Sequence, residues 1–140
     1  MIRIVSYALL CVLHWSGGAW AESELLRADD AFRRAQAGEI TLIDIRSPAE
    51  WRQTGVPRGA LPITMHDPDG IDAFYRGILA ATGNDKHKPI ALICAAGNRS
   101  LWAQKFLTDK GFTHIENVGE GLYGNGIHPG WLRRGLPIDR

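Results

Sequence analysis

The chain has 140 residues, 16 of them basic and 15 acidic, so a formal net charge of +1 gives no electrostatic case for nucleic acid. That length is one domain's worth, and 45% apolar residues suffice for a hydrophobic core. No internal repeat or low-complexity tract divides it. The first residues stand apart from the domain that follows. Arg3 supplies a positive n-region, residues 4–15 are mostly apolar, and Gly17-Gly18-Ala19-Trp20-Ala21 ends in an Ala-x-Ala pattern. This predicts a secretory signal peptide over 1–21, cleaved after Ala21. A membrane anchor fits less well, because the apolar run falls short of the about 20 residues a span needs. A lipoprotein is disfavoured too, since Leu10 rather than a small residue precedes Cys11. The mature chain, 22–140, is then a single periplasmic or secreted domain without a membrane span. It keeps one cysteine, Cys94, which has no internal partner for a disulfide.

The predicted elements then alternate. Leu25-Leu26 reads as a short opening strand. Asp29 or Asp30 is placed to cap a helix that runs to about Ala37 and stops at Gly38. Residues 40–45 form a strand rich in β-branched side chains. Ser47-Pro48-Ala49-Glu50 is a capping box with proline in the first helical turn, so a short helix carrying Trp51 follows. Residues 55–59 read as a turn and 60–63 as a short strand. Residues 69–82 predict a helix with Ile71, Phe74, Ile78 and Leu79 on one apolar face. Residues 89–93 are an apolar run of the kind that forms a buried strand. A helix over 101–110 ends at Gly111, and 114–118 is the last strand. Strands separated by helices imply an α/β fold with a mostly parallel central sheet and helices on both faces.

Sites in such folds lie beyond the C-terminal ends of the strands, where Asp44, Arg46 and Cys94 all fall. Cys94 sits where a strand passes through a short loop, Ala95-Ala96-Gly97-Asn98-Arg99-Ser100, into a helix N-terminus. Unpaired amides and the helix dipole there favour a thiolate or a bound anion. A buried, inert cysteine is the bland reading of an isolated thiol; the flanking Gly-Asn-Arg-Ser favours a reactive one.

Four segments, in order, resemble the rhodanese (sulfurtransferase) family. Residues 43–51, Ile-Asp-Ile-Arg-Ser-Pro-Ala-Glu-Trp, are similar to its Asp-x-Arg segment, and 55–63 to its Gly-His-Ile-x-Gly-Ala segment, with Val56-Pro57 replacing His-Ile. The loop from Cys94 to Ser100 matches its active loop, and Trp131 to Ile138 its closing Trp-x-x-x-Gly-x-Pro motif. The resemblance implies a rhodanese-like fold and a Cys94 that takes a sulfane sulfur from a donor such as thiosulfate, holds it as a persulfide and passes it to cyanide or a thiol. A small sulfur-containing anion or a persulfide is the implied donor, and a thiol or a protein the implied acceptor.

In that reading the amides from Ala95 to Ser100 ring the sulfur, and Gly97 adopts angles a side chain would forbid. Arg99 either adds positive charge beside the anion or braces the loop. Ser100 is expected to cap the helix, with contact to the sulfur as the lesser reading. Asp44, Arg46 and Glu50 are expected to form a supporting charged network, since a carboxylate beside a thiolate would raise its pKa. Trp51, Trp102 and Phe106 are expected in the core, and Trp131 to pack the C-terminal segment on the sheet. No cofactor and no metal are expected; His66, His87, His114 and His128 show no ligand spacing.

Two rivals compete with this reading. A cysteine phosphatase also builds its anion cradle from cysteine to arginine, but Cys94 and Arg99 are one residue closer than that family keeps them. The other rival is a non-catalytic persulfide carrier or redox-sensing module on the same fold. Neutral Ala95 and Ala96 give the loop little charge to draw thiosulfate. The glycine-rich stretch 119–130 reads as a loop over the site, a docking surface, or a solvated turn.

Overall fold

A computed structural model describes residues 25–140. The expected signal peptide, 1–21, and Cys11 lie outside the described residues. The elements are α1 (Ala28–Gln36), β1 (Thr41–Asp44), α2 (Pro48–Thr54), β2 (Val56–Pro57), β3 (Leu61–Pro62), α3 (Ile71–Ala81), β4 (Ile90–Ile93), α4 (Asn98–Asp109), β5 (Ile115–Asn117), α5 (Gly130–Arg133) and β6 (Ile138–Asp139). The sheet runs β3-β1-β4-β5 with every pairing parallel. Among the described residues no helix is long and apolar enough to cross a membrane.

Both faces of the sheet are covered, and the period-2 alternation of its strands decides which side chain goes where. Leu42, Ala91 and Ile93 join Ala28 and Ala31 of α1 and Trp131 of α5 in one core. Ile43, Ile90 and Leu92 join Phe74 and Ile78 of α3 and Ala103 and Leu107 of α4 in the other. Cys94 continues the alternation into that second core. Trp131 is fully buried, meets Phe32 edge-on at 5.7 Å and donates its Nε1 hydrogen to the Pro137 carbonyl at 3.0 Å, so it does fasten the C-terminal segment to the sheet.

Several elements depart from the expectations. Leu25-Leu26 forms no strand; Leu26 instead donates one hydrogen bond to the Asn117 carbonyl. Residues 56–57 lie within the expected turn but pair antiparallel with β6, closing a two-stranded ribbon. Trp102 is 50% exposed, stacked on Phe106 at 5.3 Å, because α4 turns Ser100, Ala103 and Leu107 inward instead. Trp51 and Phe106 are only partly buried.

Neither Asp29 nor Asp30 caps α1. Arg27 holds the cap position, and both aspartates lie in the first turn, where they complement the helix dipole. The Ala28 amide is satisfied from the far end of the chain by Glu120 Oε1, at 2.6 Å. The same buried carboxylate accepts from Gly130 N at 2.9 Å and from Arg134 Nε at 3.0 Å. Burial raises its pKa, but the Ala28 amide, Arg134 and the Gly130 amide together outweigh that, and the net shift is downward. The stability it contributes is therefore full above the ordinary glutamate range and lost as pH falls through the lowered value. Glu120→Ala strands two amides and a guanidinium, and should cost about 3 kcal/mol by urea unfolding at pH 7. A loss within error of zero would mean that water replaces the carboxylate.

Candidate active site

β4 ends at Ile93 and delivers Cys94 to the edge of the second core, 1% exposed. Three residues later Gly97, at φ +94°, turns the chain into α4. A Cβ there would collide with the Gly119 carbonyl, so the loop and the glycine-rich segment touch backbone to backbone. That contact is extended by two hydrogen bonds: Leu122 N donates to the Cys94 carbonyl at 2.8 Å, and Tyr123 N to that of Ala95 at 2.9 Å. The Asn117 side chain donates to the Gly97 carbonyl at 3.4 Å. The 119–123 stretch thus seams to the loop's flank. Farther along, Asn125 Oδ1 accepts from the amides of Ile127 and His128 and folds the tip on itself, leaving Ile127 exposed.

The sulfur accepts from the Gly97 amide at 3.2 Å and from the Ser100 amide at 3.4 Å. Ser100 Oγ stands 3.2 Å from it and also 3.2 Å from the Gly97 carbonyl. So Ser100 does not cap the helix: Gly97 occupies that position, and the serine hydroxyl contacts the sulfur directly. The helix begins at Asn98, three residues before the expected start, because the loop itself coils into its first turn. Among the described residues the amides that bond the Cys94 sulfur are those of Gly97 and Ser100.

Arg99 reaches across to α2. Its NH2 donates to Glu50 Oε1 at 2.7 Å and its NH1 to Glu50 Oε2 at 2.9 Å, a bidentate pair. These bonds hold the guanidinium charged more firmly than usual against partial burial, and the neighbouring Cys94 side chain adds to the effect. Glu50 is in turn drawn down to about 2, chiefly by Arg99; burial opposes this, and bonds from the Ser47 amide and hydroxyl add to it. The same carboxylate completes the capping box of α2.

Asp44 and Arg46 lie one step behind. Both are fully buried, paired at 2.7 Å. Arg46 also donates to Thr54 Oγ1 at 2.9 Å and to the Gly55 carbonyl at 2.8 Å, pinning the end of α2 to the end of β1. Of the expected network, then, the structure brings Glu50 to the loop through Arg99, whereas Asp44 and Arg46 orient the helix that carries Glu50. His66 enters unannounced by any spacing: its Nε2 accepts from Arg99 NH1 at 3.0 Å. Asn117 likewise carried no sequence signal. No cluster of three or more metal-ligating side chains occurs among the described residues.

The sequence profile of the rhodanese-like domain matches residues 27–124. The chain belongs to the rhodanese-like family. It is 30% identical over 107 residues to a protein named sulfurtransferase from Allochromatium vinosum, covering 76% of this chain and 84% of that one. It is 29% identical over 98 residues to an uncharacterized protein of Rickettsia conorii, with 69% and 80% covered. The solution structure of the polysulfide-sulfur transferase homodimer of Wolinella succinogenes superposes with a TM-score of 0.61 at 29% identity, over 82% of this chain and 77% of that one. The rhodanese-like fold, a parallel sheet with helices on both faces, is the one the four segments implied.

The Glu50 shift makes a pH prediction. A carboxylate lowered from 4.5 to about 2 contributes stability that is full above its unfolded value and is lost as pH falls toward 2. Urea unfolding of wild type and Glu50→Gln between pH 2 and pH 7 should therefore show a gap that is widest above pH 5 and closes toward pH 2. A gap independent of pH would place the variant's effect in packing rather than in the ion pair.

Proposed function

We propose that this protein is a sulfurtransferase in which Cys94 carries a sulfane sulfur as a persulfide, from a donor such as thiosulfate or an organic persulfide to cyanide or a thiol. The observation that supports this best is the sulfur's own setting. It is the acceptor of two amide hydrogen bonds at a helix N-terminus, with a hydroxyl at the same distance. Those groups favour negative charge on sulfur, which both a nucleophilic thiolate and a terminal persulfide bear. Relatives named for sulfur transfer point the same way.

In the first half-reaction the Cys94 thiolate bonds to the outer sulfur of the donor. The donor's S–S bond breaks, and the leaving group is sulfite from thiosulfate or a thiol from a persulfide. In the second, a thiolate or cyanide attacks that sulfur, and Cys94 leaves with the electron pair. No net oxidation occurs, and two half-reactions on one thiol give ping-pong kinetics. Gly97 and Ser100 would hold the charge on the Cys94 sulfur at both ends of the cycle. The amides of Asn98 and Arg99, which have no backbone acceptor among the described residues, remain available for the transferred atom. A phosphatase reading is less well supported, because the arginine that would clasp a phosphate is held by Glu50 on both terminal nitrogens. Export through a cleaved 1–21 leader belongs to the same proposal, and would leave Cys94 the single thiol of the mature chain.

Intact mass of the mature protein after exposure to thiosulfate and, separately, to an alkyl persulfide tests the function. One added sulfur on Cys94, released as thiocyanate by cyanide, is the expected result. Cys94→Ser should gain no sulfur while its melting temperature stays close to wild type, since Ser fills nearly the same volume. No added sulfur from either donor would leave a binding or sensing module as the better reading.

A further inference from the structure

Which donor the site accepts is a question of charge, and the loop has little side-chain charge to offer an anion. Ala95, Ala96 and Asn98 are neutral, and the Ser100 hydroxyl is shared between the sulfur and the Gly97 carbonyl. The loop's cation is Arg99. Both of its terminal nitrogens donate to the Glu50 carboxylate, and a further hydrogen is directed at His66 Nε2. Glu50 sits in its own capping box, so it is fixed to α2 and cannot swing away from Arg99 without undoing the cap. Behind it, Asp44 and Arg46 cancel each other in full burial. Once Cys94 ionises, the group of Arg99, Glu50 and Cys94 carries a net negative charge. On side-chain charge, a dianion such as thiosulfate meets a net repulsion there, and the helix N-terminal amides are left as its attraction. Exposed apolar side chains adjoin the loop along the chain and through its backbone bonds: Leu101 follows Ser100 in α4, and Tyr123 is joined to Ala95 through its amide.

We propose that this site takes its sulfur from a small organic persulfide of low charge in preference to thiosulfate, because Glu50 cancels the charge of Arg99 and the rest of the loop is neutral. The proposal rests on the sulfurtransferase reading above. The step is balanced without a further reagent. The Cys94 thiolate bonds to the outer sulfur of R–S–SH, the donor S–S bond breaks, and the electron pair and proton depart on R–SH.

The test measures second-order rate constants for sulfur gain on Cys94, by rapid quench and intact mass, with thiosulfate and with 2-hydroxyethyl persulfide across ionic strength. Added potassium chloride should raise the thiosulfate constant, as screening relieves the repulsion, and leave the persulfide constant nearly level. Glu50→Gln keeps an acceptor oxygen for the Ser47 cap but frees the charge of Arg99. It should raise the ratio of the thiosulfate to the persulfide constant by about tenfold, a modest share of what one unit charge exerts near a protein surface. A thiosulfate constant that falls with salt in the wild type overturns the proposal, as does a ratio unmoved or lowered in a folded Glu50→Gln. If that variant does not fold, the wild-type salt dependence decides alone. Sulfur gain from neither donor overturns the sulfurtransferase reading itself, an outcome distinct from gain with the wrong charge preference.

Discussion

The geometry around Cys94 depends on one close approach, that of Gly97 to the Gly119 carbonyl. It allows two backbone segments to lie against each other with no side chain between them. Because they do, Leu122 and Tyr123 can reach the carbonyls of Cys94 and Ala95. With those carbonyls engaged on one side, the amides of Gly97 and Ser100 are turned toward the sulfur on the other. The second glycine of this seam, Gly121 at φ +61°, has the Ala95 carbonyl where a Cβ would be. The cradle is thus made of main chain, and its shape is set by how near two strands of backbone can come.

Side chains enter as a relay behind that cradle. Arg46 fixes the end of α2 to β1, α2 presents Glu50, Glu50 grips Arg99, and Arg99 belongs to the first turn of α4 beside the sulfur. Each link is a charge-assisted bond in partial or full burial, where such bonds are stronger and more directional than at a surface. The relay gives the loop rigidity, and in the same stroke uses up the positive charge that an anion-binding site would need. Positioning and attraction are competing uses of one guanidinium, and here positioning has taken it.

What could be read from the sequence was what is local. The capping box Ser47–Glu50 acts within four residues, and the strand over 89–93 announces itself by apolar run alone. The order of strands and helices, and the place of Cys94 at a strand end, follow from such signals. Interactions between distant residues left no such trace. Glu120 meets the Ala28 amide 92 residues away, so aspartates near the helix start were the natural but mistaken choice of cap. His66 is joined to Arg99 across 33 residues and shows no spacing. Trp102 misled for a different reason: α4 buries the small residues Ser100 and Ala103 on its inner face, so the large aromatic is the one turned out. The Val56-Pro57 strand is two residues long and exists only because β6 returns to meet it.

Glu120 also bears on how the chain reaches this structure. Its carboxylate ties the first turn of α1 to the first turn of α5, and the β2–β6 ribbon joins another pair of sequence-distant segments. Non-local pairings of this kind slow folding, because a long loop must close before any contact rewards it. The parallel sheet adds to the effect, since each of its pairings spans an intervening crossover. A nascent chain therefore cannot complete the domain until nearly all of it is available, and until then Leu42, Ala91 and Ile93 on the α1 face of the sheet lack the cover of Trp131.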